Sequence, residues 1–130
     1  PITLDIGGEG RHAGAYNLNR SRYKTLGPER GRPIPRLVVG RADAIPLANG
    51  SVGHVIVERT PLSQAALTEI ARVVAPGGVV VLTHVPLPNA DRHRLARSVL
   101  KGHAQRRHFR LAGQWVLETR IEIETACDKR

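Results

Sequence analysis

Methionine is absent from these 130 residues, and cysteine occurs once, at Cys127. A single thiol excludes an intrachain disulfide framework and a cysteine-rich zinc site. Aromatic side chains are scarce, with two Tyr, one Phe and one Trp in the whole chain. The core must therefore be built from Val, Leu, Ile and Ala, and stacking of single-stranded bases has little support. No apolar run approaches the length of a membrane span, and no signal-peptide pattern is present, so the expected location is cytoplasmic. Acidic residues are also few: 11 against 20 Lys and Arg, a net charge of +9 and a pI near 11.2. That balance favours an acidic partner, such as nucleic acid or an anionic surface. The length suits one domain over 1–130. Opening on Pro1 without any methionine is consistent with initiator removal, or with a piece delivered as part of a larger exported protein.

What is present is organised around Thr68–Val85. Leu67, Ile70, Ala71 and Val74 fall at helical spacing and predict one apolar stripe. Ala75-Pro76-Gly77-Gly78 predicts the stop, because proline cannot extend a helix and glycine accepts positive φ. Val79–Leu82 is a continuous β-branched run, the pattern of a strand covered on both faces. A helix feeding such a strand is half of a βαβ unit. The reading is therefore α/β: a Rossmann-like, mostly parallel sheet whose strand ends hold the ligand.

Earlier in the chain, Ile2–Ile6 predicts a strand running into the glycines Gly7, Gly8 and Gly10. Glycines let backbone approach a ligand and supply free N–H groups, although they also make ordinary turns. Ala15–Asn19 predicts a second strand, so close behind that the first helix is reduced or missing. Residues 20–36 read as a basic loop with a short helix around Arg20–Leu26. Leu37–Val39 and Val55–Val57 predict two more strands, and Thr60 or Ser63 can cap the helix that follows. Asn89 or Asp91 can cap a basic helix through Leu100, with Leu95, Ala96, Val99 and Leu100 facing inward. Phe109–Leu111 and Trp115–Ile123 predict a terminal antiparallel pair, and 124–130 a frayed tail.

Three segments in this order resemble the class I S-adenosylmethionine-dependent methyltransferases. Leu4–Gly10, LDIGGEG, is similar to the family's first glycine motif. Gly40–Val57, GRADAIPLANGSVGHVIV, resembles its passage from third to fourth strand. Ala66–Leu82, ALTEIARVVAPGGVVVL, resembles the helix and strand written E-x-x-R-V-L-x-P-G-G. The resemblance implies a seven-stranded sheet with its last strand antiparallel and S-adenosylmethionine over the strand ends. By position it implies Asp5, Gly7, Gly8 and Gly10 along the methionine and ribose part, and Asn19 in place of the ribose-binding acid. Asp43 would face the adenine amine beside Ala44, and Glu58 the transferred methyl. The chain departs from the pattern at Glu9 and Arg11, where glycine is expected, and at Asn19, which is neutral.

Glu58 and His84 are the candidate catalytic bases. Glu58 can instead bind the acceptor or pair with Arg59, and His84 can be a strand-end residue bonded to backbone. His12 sits within the glycine loop. His93, His103 and His108 lack the spacing of a zinc helix, so no metal is expected. Arg92, Arg94, Arg97, Lys101, Arg106 and Arg107 form a dense basic cluster that could contact nucleic-acid phosphates, making the acceptor anionic and RNA-like, or could be a solvated face. Two rival readings accompany the methyltransferase: a degenerate interaction module of the same fold, and a toxin-like C-terminal effector domain countered by an inhibitor protein.

Overall fold

The computed structural model describes residues 1–125. Cys127 and most of the expected tail, 126–130, lie outside the described residues. The organising helix, α1 (Gln64–Val73), begins where the Ser63 side chain accepts the Ala66 N–H at 3.1 Å. Its buried stripe is Ala66, Leu67, Ile70 and Val73. The helix ends because Val74 is already extended, ahead of the proline. The chain then enters strand β5 (Val74–His84) at once. Ala75–Gly78 is therefore a bulge within the strand and not a reversal ahead of it. Val52 pairs with Val74, and the ladder resumes at His54 with Val79. Gly77 takes a φ of +79° inside that bulge, which a side chain would strain.

Around β5 stand β1 (Ile2–Ile6), β2 (Tyr16–Asn19), β3 (Leu37–Val39) and β4 (Val52–Glu58), followed after α2 (Arg94–Val99) by β6 (Gly102–Leu111) and β7 (Gln114–Ile123). They form one seven-stranded sheet in the order β3-β2-β1-β4-β5-β7-β6. Strands β1 to β5 pair in parallel, and β7 and β6 add antiparallel, as the sequence pattern predicts. The β6 strand begins at Gly102 and not at Phe109, because every residue from Gly102 has a partner on β7. Ala112 and Gly113 join them with φ of 51° and 80°, the two left-handed residues of a tight hairpin turn.

Register assigns the two sheet faces. Leu4, Val55, Val80 and Ile121 are successive neighbours, as are Ile6, Val57 and Leu82. These join Leu67, Ile70, Val73, Ala96 and Leu100 in one core, so both helices pack on this face. The opposite face carries Asp5, Ile56, Val81 and Arg120, and no helix among the described residues covers it. Hence Val80 and Leu82 are fully buried while Val79 and Val81 are more open. The expectation that this strand is covered on both sides is corrected, because the chain passes from β1 to β2 without a helix.

Two smaller expectations also change. Residues 20–26 form no helix; Lys24 N–H donates to Arg32 and Ile34 N–H to Arg22, folding the loop back on itself over buried Ile34. In α2, His93 is the N-cap residue without a side-chain cap, while Asp91 accepts the His93 N–H just ahead of the helix. Leu95 is exposed there, whereas Ala96 and Leu100 are buried.

Candidate functional site

Strand order reverses between β1 and β4, since the chain runs from β1 outward to β3 and then crosses back. In an open parallel sheet that reversal leaves a crevice beyond the strand ends. A cavity of about 540 Å³ lies there, walled by Gly7, Arg11, Glu58, Arg59, Thr60 and His84. A second hollow of about 200 Å³ adjoins it over β1, β2 and β3, lined by Gly7, Leu18, Asn19, Gly40, Ala42 and Thr60. Gly7 and Thr60 belong to both, so the two spaces lie side by side along the strand ends.

The glycine turn is built to bring backbone close. Gly7 has φ +73° and donates its N–H to the Leu18 carbonyl at 2.7 Å. A Cβ on Gly8 would stand 2.4 Å from Asn17 Oδ1 and 2.5 Å from Asp5 Oδ2, so only glycine fits. Gly10 donates its N–H to the same Asn17 oxygen at 3.1 Å. Asn17 is therefore the buried bracket of this loop. Thr60 Oγ1 donates to the Ile6 carbonyl at 3.2 Å, clamping the exit of β4 to β1.

Arg11, one of the departures from the glycine motif, proves central. Its guanidinium donates to both Asp5 oxygens at 2.9 and 3.0 Å, and its Nε lies 3.2 Å from Glu58 Oε1. Asp5 is fully buried, and Arg11 supplies the opposite charge that a buried carboxylate requires. His12 Nε2 is 3.0 Å from Glu58 Oε2. Glu58 is thus gripped by Arg11 and His12, and not by Arg59. Glu9, the other departure, turns away to accept from the Thr25 N–H and hydroxyl at 3.0 and 2.6 Å.

Asn19 lines the smaller hollow while its Nδ2 donates to Gly8 O at 3.1 Å and its Oδ1 accepts from Ser21 N–H. Asp43 and Ala44 are exposed on the turn after β3, where Ala42 is the residue facing the hollow. The Asp43 carboxylate is held by Arg41 at 2.9 and 3.0 Å, and those hydrogen bonds lower its pKa.

His84 ends β5 in the wall of the larger cavity. Its Nε2 donates to the Thr60 carbonyl at 2.7 Å, which leaves Nδ1 as acceptor in the neutral ring. His93 Nε2 lies 2.8 Å from that Nδ1, and His93 Nδ1 lies 2.6 Å from Thr119 Oγ1. Each nitrogen of the pair therefore has a partner. Burial lowers the pKa of both rings, that of His93 to about 4.

The basic cluster is less available than its count suggests. Arg97 and Arg106 pair with Asp91, Arg107 pairs with Glu118, and Arg92 donates to the Val85 carbonyl. The side chains of Arg94 and Lys101 have no such partner among the described residues.

No family model matches the sequence, and no curated protein does. Solved structures do. One is an S-adenosylmethionine-dependent methyltransferase from Thermotoga maritima, a possible histamine N-methyltransferase: TM-score 0.70, 16% identity, 95% of this chain and 82% of that one. A second is the putative methyltransferase of Haloferax volcanii, in complex with the Trm112 methyltransferase activator, with TM-score 0.66, 15% identity and coverage of 95% and 82%. A third is the 16S rRNA (adenine(1408)-N(1))-methyltransferase of Catenulisporales acidiphilia, with TM-score 0.61, 15% identity and coverage of 96% and 86%. The chain has the class I S-adenosylmethionine-dependent methyltransferase fold.

Proposed function

We propose that this protein binds S-adenosylmethionine and transfers its methyl group to an acceptor carrying negative charge. One observation carries the reading. The strand-order reversal opens onto a crevice lined by Gly7 of the glycine turn, a partly buried carboxylate at Glu58, and at Arg59 a cation without a partner among the described residues. A cavity of about 540 Å³ beside a smaller hollow is within the range that cofactor-sized ligands fill. The donor set fits as well. Gly7, Asn19, Gly40 and Ala42 would hold the nucleoside, with Asp43 and Ala44 at its outer edge. Gly8 and Gly10 shape the turn, Asp5 anchors Arg11, and Arg11 would face the carboxylate of the cofactor's amino-acid end.

The bound cofactor supplies an activated methyl, and the protein's task is to align the acceptor and receive its proton where one is lost. Glu58 is the base in this reading. Its hydrogen bond to His12 gives an onward route for the proton. His84 acts by holding the Thr60 carbonyl, and so the β4 exit, because neither of its nitrogens is free to accept. A negatively charged acceptor is favoured because Arg59, a cation without a partner among the described residues, stands in the crevice wall.

The test is titration calorimetry with S-adenosylmethionine and S-adenosylhomocysteine on the wild type and on Asn19→Ala and Glu58→Gln. Saturable binding that weakens by about fivefold or more in Asn19→Ala and persists in Glu58→Gln is the expected result. No heat at millimolar ligand with folded protein would end the reading.

A further inference from the structure

Arg59 leaves β4 in a conformation that its residue type disfavours. Its φ is 63°, in the left-handed region where a Cβ crowds the following carbonyl. Glycine or asparagine is the ordinary occupant of such a position. The conformation is enforced from below, since the Arg59 N–H donates to the Thr83 carbonyl at 3.0 Å and extends the ladder past the strand end. An unfavourable backbone that nonetheless carries a long cationic side chain points to a use for that side chain.

Its surroundings define the use. Arg59 lines the larger cavity beside Glu58, yet Glu58 is already bonded to Arg11 and His12. The Arg59 guanidinium has no protein acceptor among the described residues. Apolar residues share the cavity wall with it: Pro61, Val85, Val116, Leu26 and Leu111. Leu26 is 71% and Leu111 49% exposed, so the sheet edge and the loop hold hydrophobic surface open to this space. An unpaired guanidinium sharing a cavity wall with apolar side chains matches a ligand with one planar anionic group and a hydrophobic body.

We propose that Arg59 anchors the acceptor, selecting a low-molecular-weight compound with a carboxylate or phosphate on an apolar or aromatic body, and so places its nucleophile beside Glu58. This deepens the methyltransferase reading and rests on it for the reaction, though binding of the anion stands by itself. A small acceptor is preferred to a nucleic acid because Arg97, Arg106 and Arg107, half of the basic cluster, are bound by Asp91 or Glu118.

Phenyl phosphate, phenylacetate and neutral benzyl alcohol serve as probes, titrated by heteronuclear NMR on the full chain with and without S-adenosylhomocysteine. Wild type should bind both anions with shifts at Thr60, Leu111 and Val116, and benzyl alcohol more weakly by about tenfold or more. Arg59→Gly suits the left-handed backbone and should melt no lower than wild type, yet lose about tenfold or more in anion affinity. Arg59→Lys should recover part of it, and Arg94→Ala should leave it unchanged. Affinity for S-adenosylhomocysteine should be equal in all variants, so its absence from wild type counts against the cofactor while the anion result still decides Arg59. Equal anion binding in Arg59→Gly, equal binding of benzyl alcohol, or displacement of the probes only by an RNA oligonucleotide would each overturn the proposal.

Discussion

Arg11 stands between two carboxylates, one of them fully buried at Asp5. Removing one partner of a buried pair leaves an uncompensated charge. Arg11 is itself 36% exposed, which discounts the effect by screening. Arg11→Leu should therefore cost roughly 2–3 kcal/mol, below the roughly 3–5 typical of fully buried pairs. Adding Asp5→Asn should restore part of that loss, as measured by urea midpoints. The His84–His93 pair makes a second prediction. His93 has a folded pKa of about 4 against an ordinary 6.5, so the unfolded chain binds more protons between those values. The stability is fully present above pH 6.5 and falls as pH drops toward 4. Linkage puts the loss at roughly 2 kcal/mol by about pH 5. Chemical denaturation at about pH 7.5 and pH 5 should show it, and His93→Asn should flatten the profile.

Among the elements, the β6–β7 hairpin has a local mismatch. Its turn needs two left-handed residues, and Ala112 fills one with φ 51°. Asn-Gly is the favoured pair in such turns. Ala112→Asn should raise stability by about 0.5–1 kcal/mol, read as a higher melting temperature. The sequence pattern located the terminal strand pair, since β7 alternates cleanly between apolar and charged residues. It underestimated β6, whose Gly102–His108 span is almost all exposed and carries no buried face to signal a strand. Likewise, the Pro-Gly-Gly run looked like the helix stop, whereas Val74 had already turned extended and the run became a bulge.

Across the whole molecule, the described sheet is clothed by helices on one side only. Adjacent valines of β5 report this directly. Val80 is fully buried under α1 and α2, while Val81 is more open on the other face. Val80→Ala should cost roughly 2 kcal/mol and Val81→Ala less than about 1, compared by chemical denaturation. Equal costs would mean that something else covers the helix-free face in solution.

Whatever depends on near neighbours could be read from the chain before it folds. Helical spacing placed α1, β-branched runs placed the central strands, and glycine chemistry placed the turn after β1. Those motifs in order also disclosed the fold, because each is a local unit with its own backbone demand. The site was only partly legible. Gly7, Asn19, Glu58 and His84 do line the crevice, because strand ends in a parallel sheet share one edge. Four features came from the folded chain alone: Arg11 links Asp5 to Glu58, Asn17 brackets the glycine loop, His93 reaches His84, and Arg59 has no acceptor among the described residues. Those are contacts across strands and loops distant in the chain, and charge pairing is settled only when every competing partner is in place.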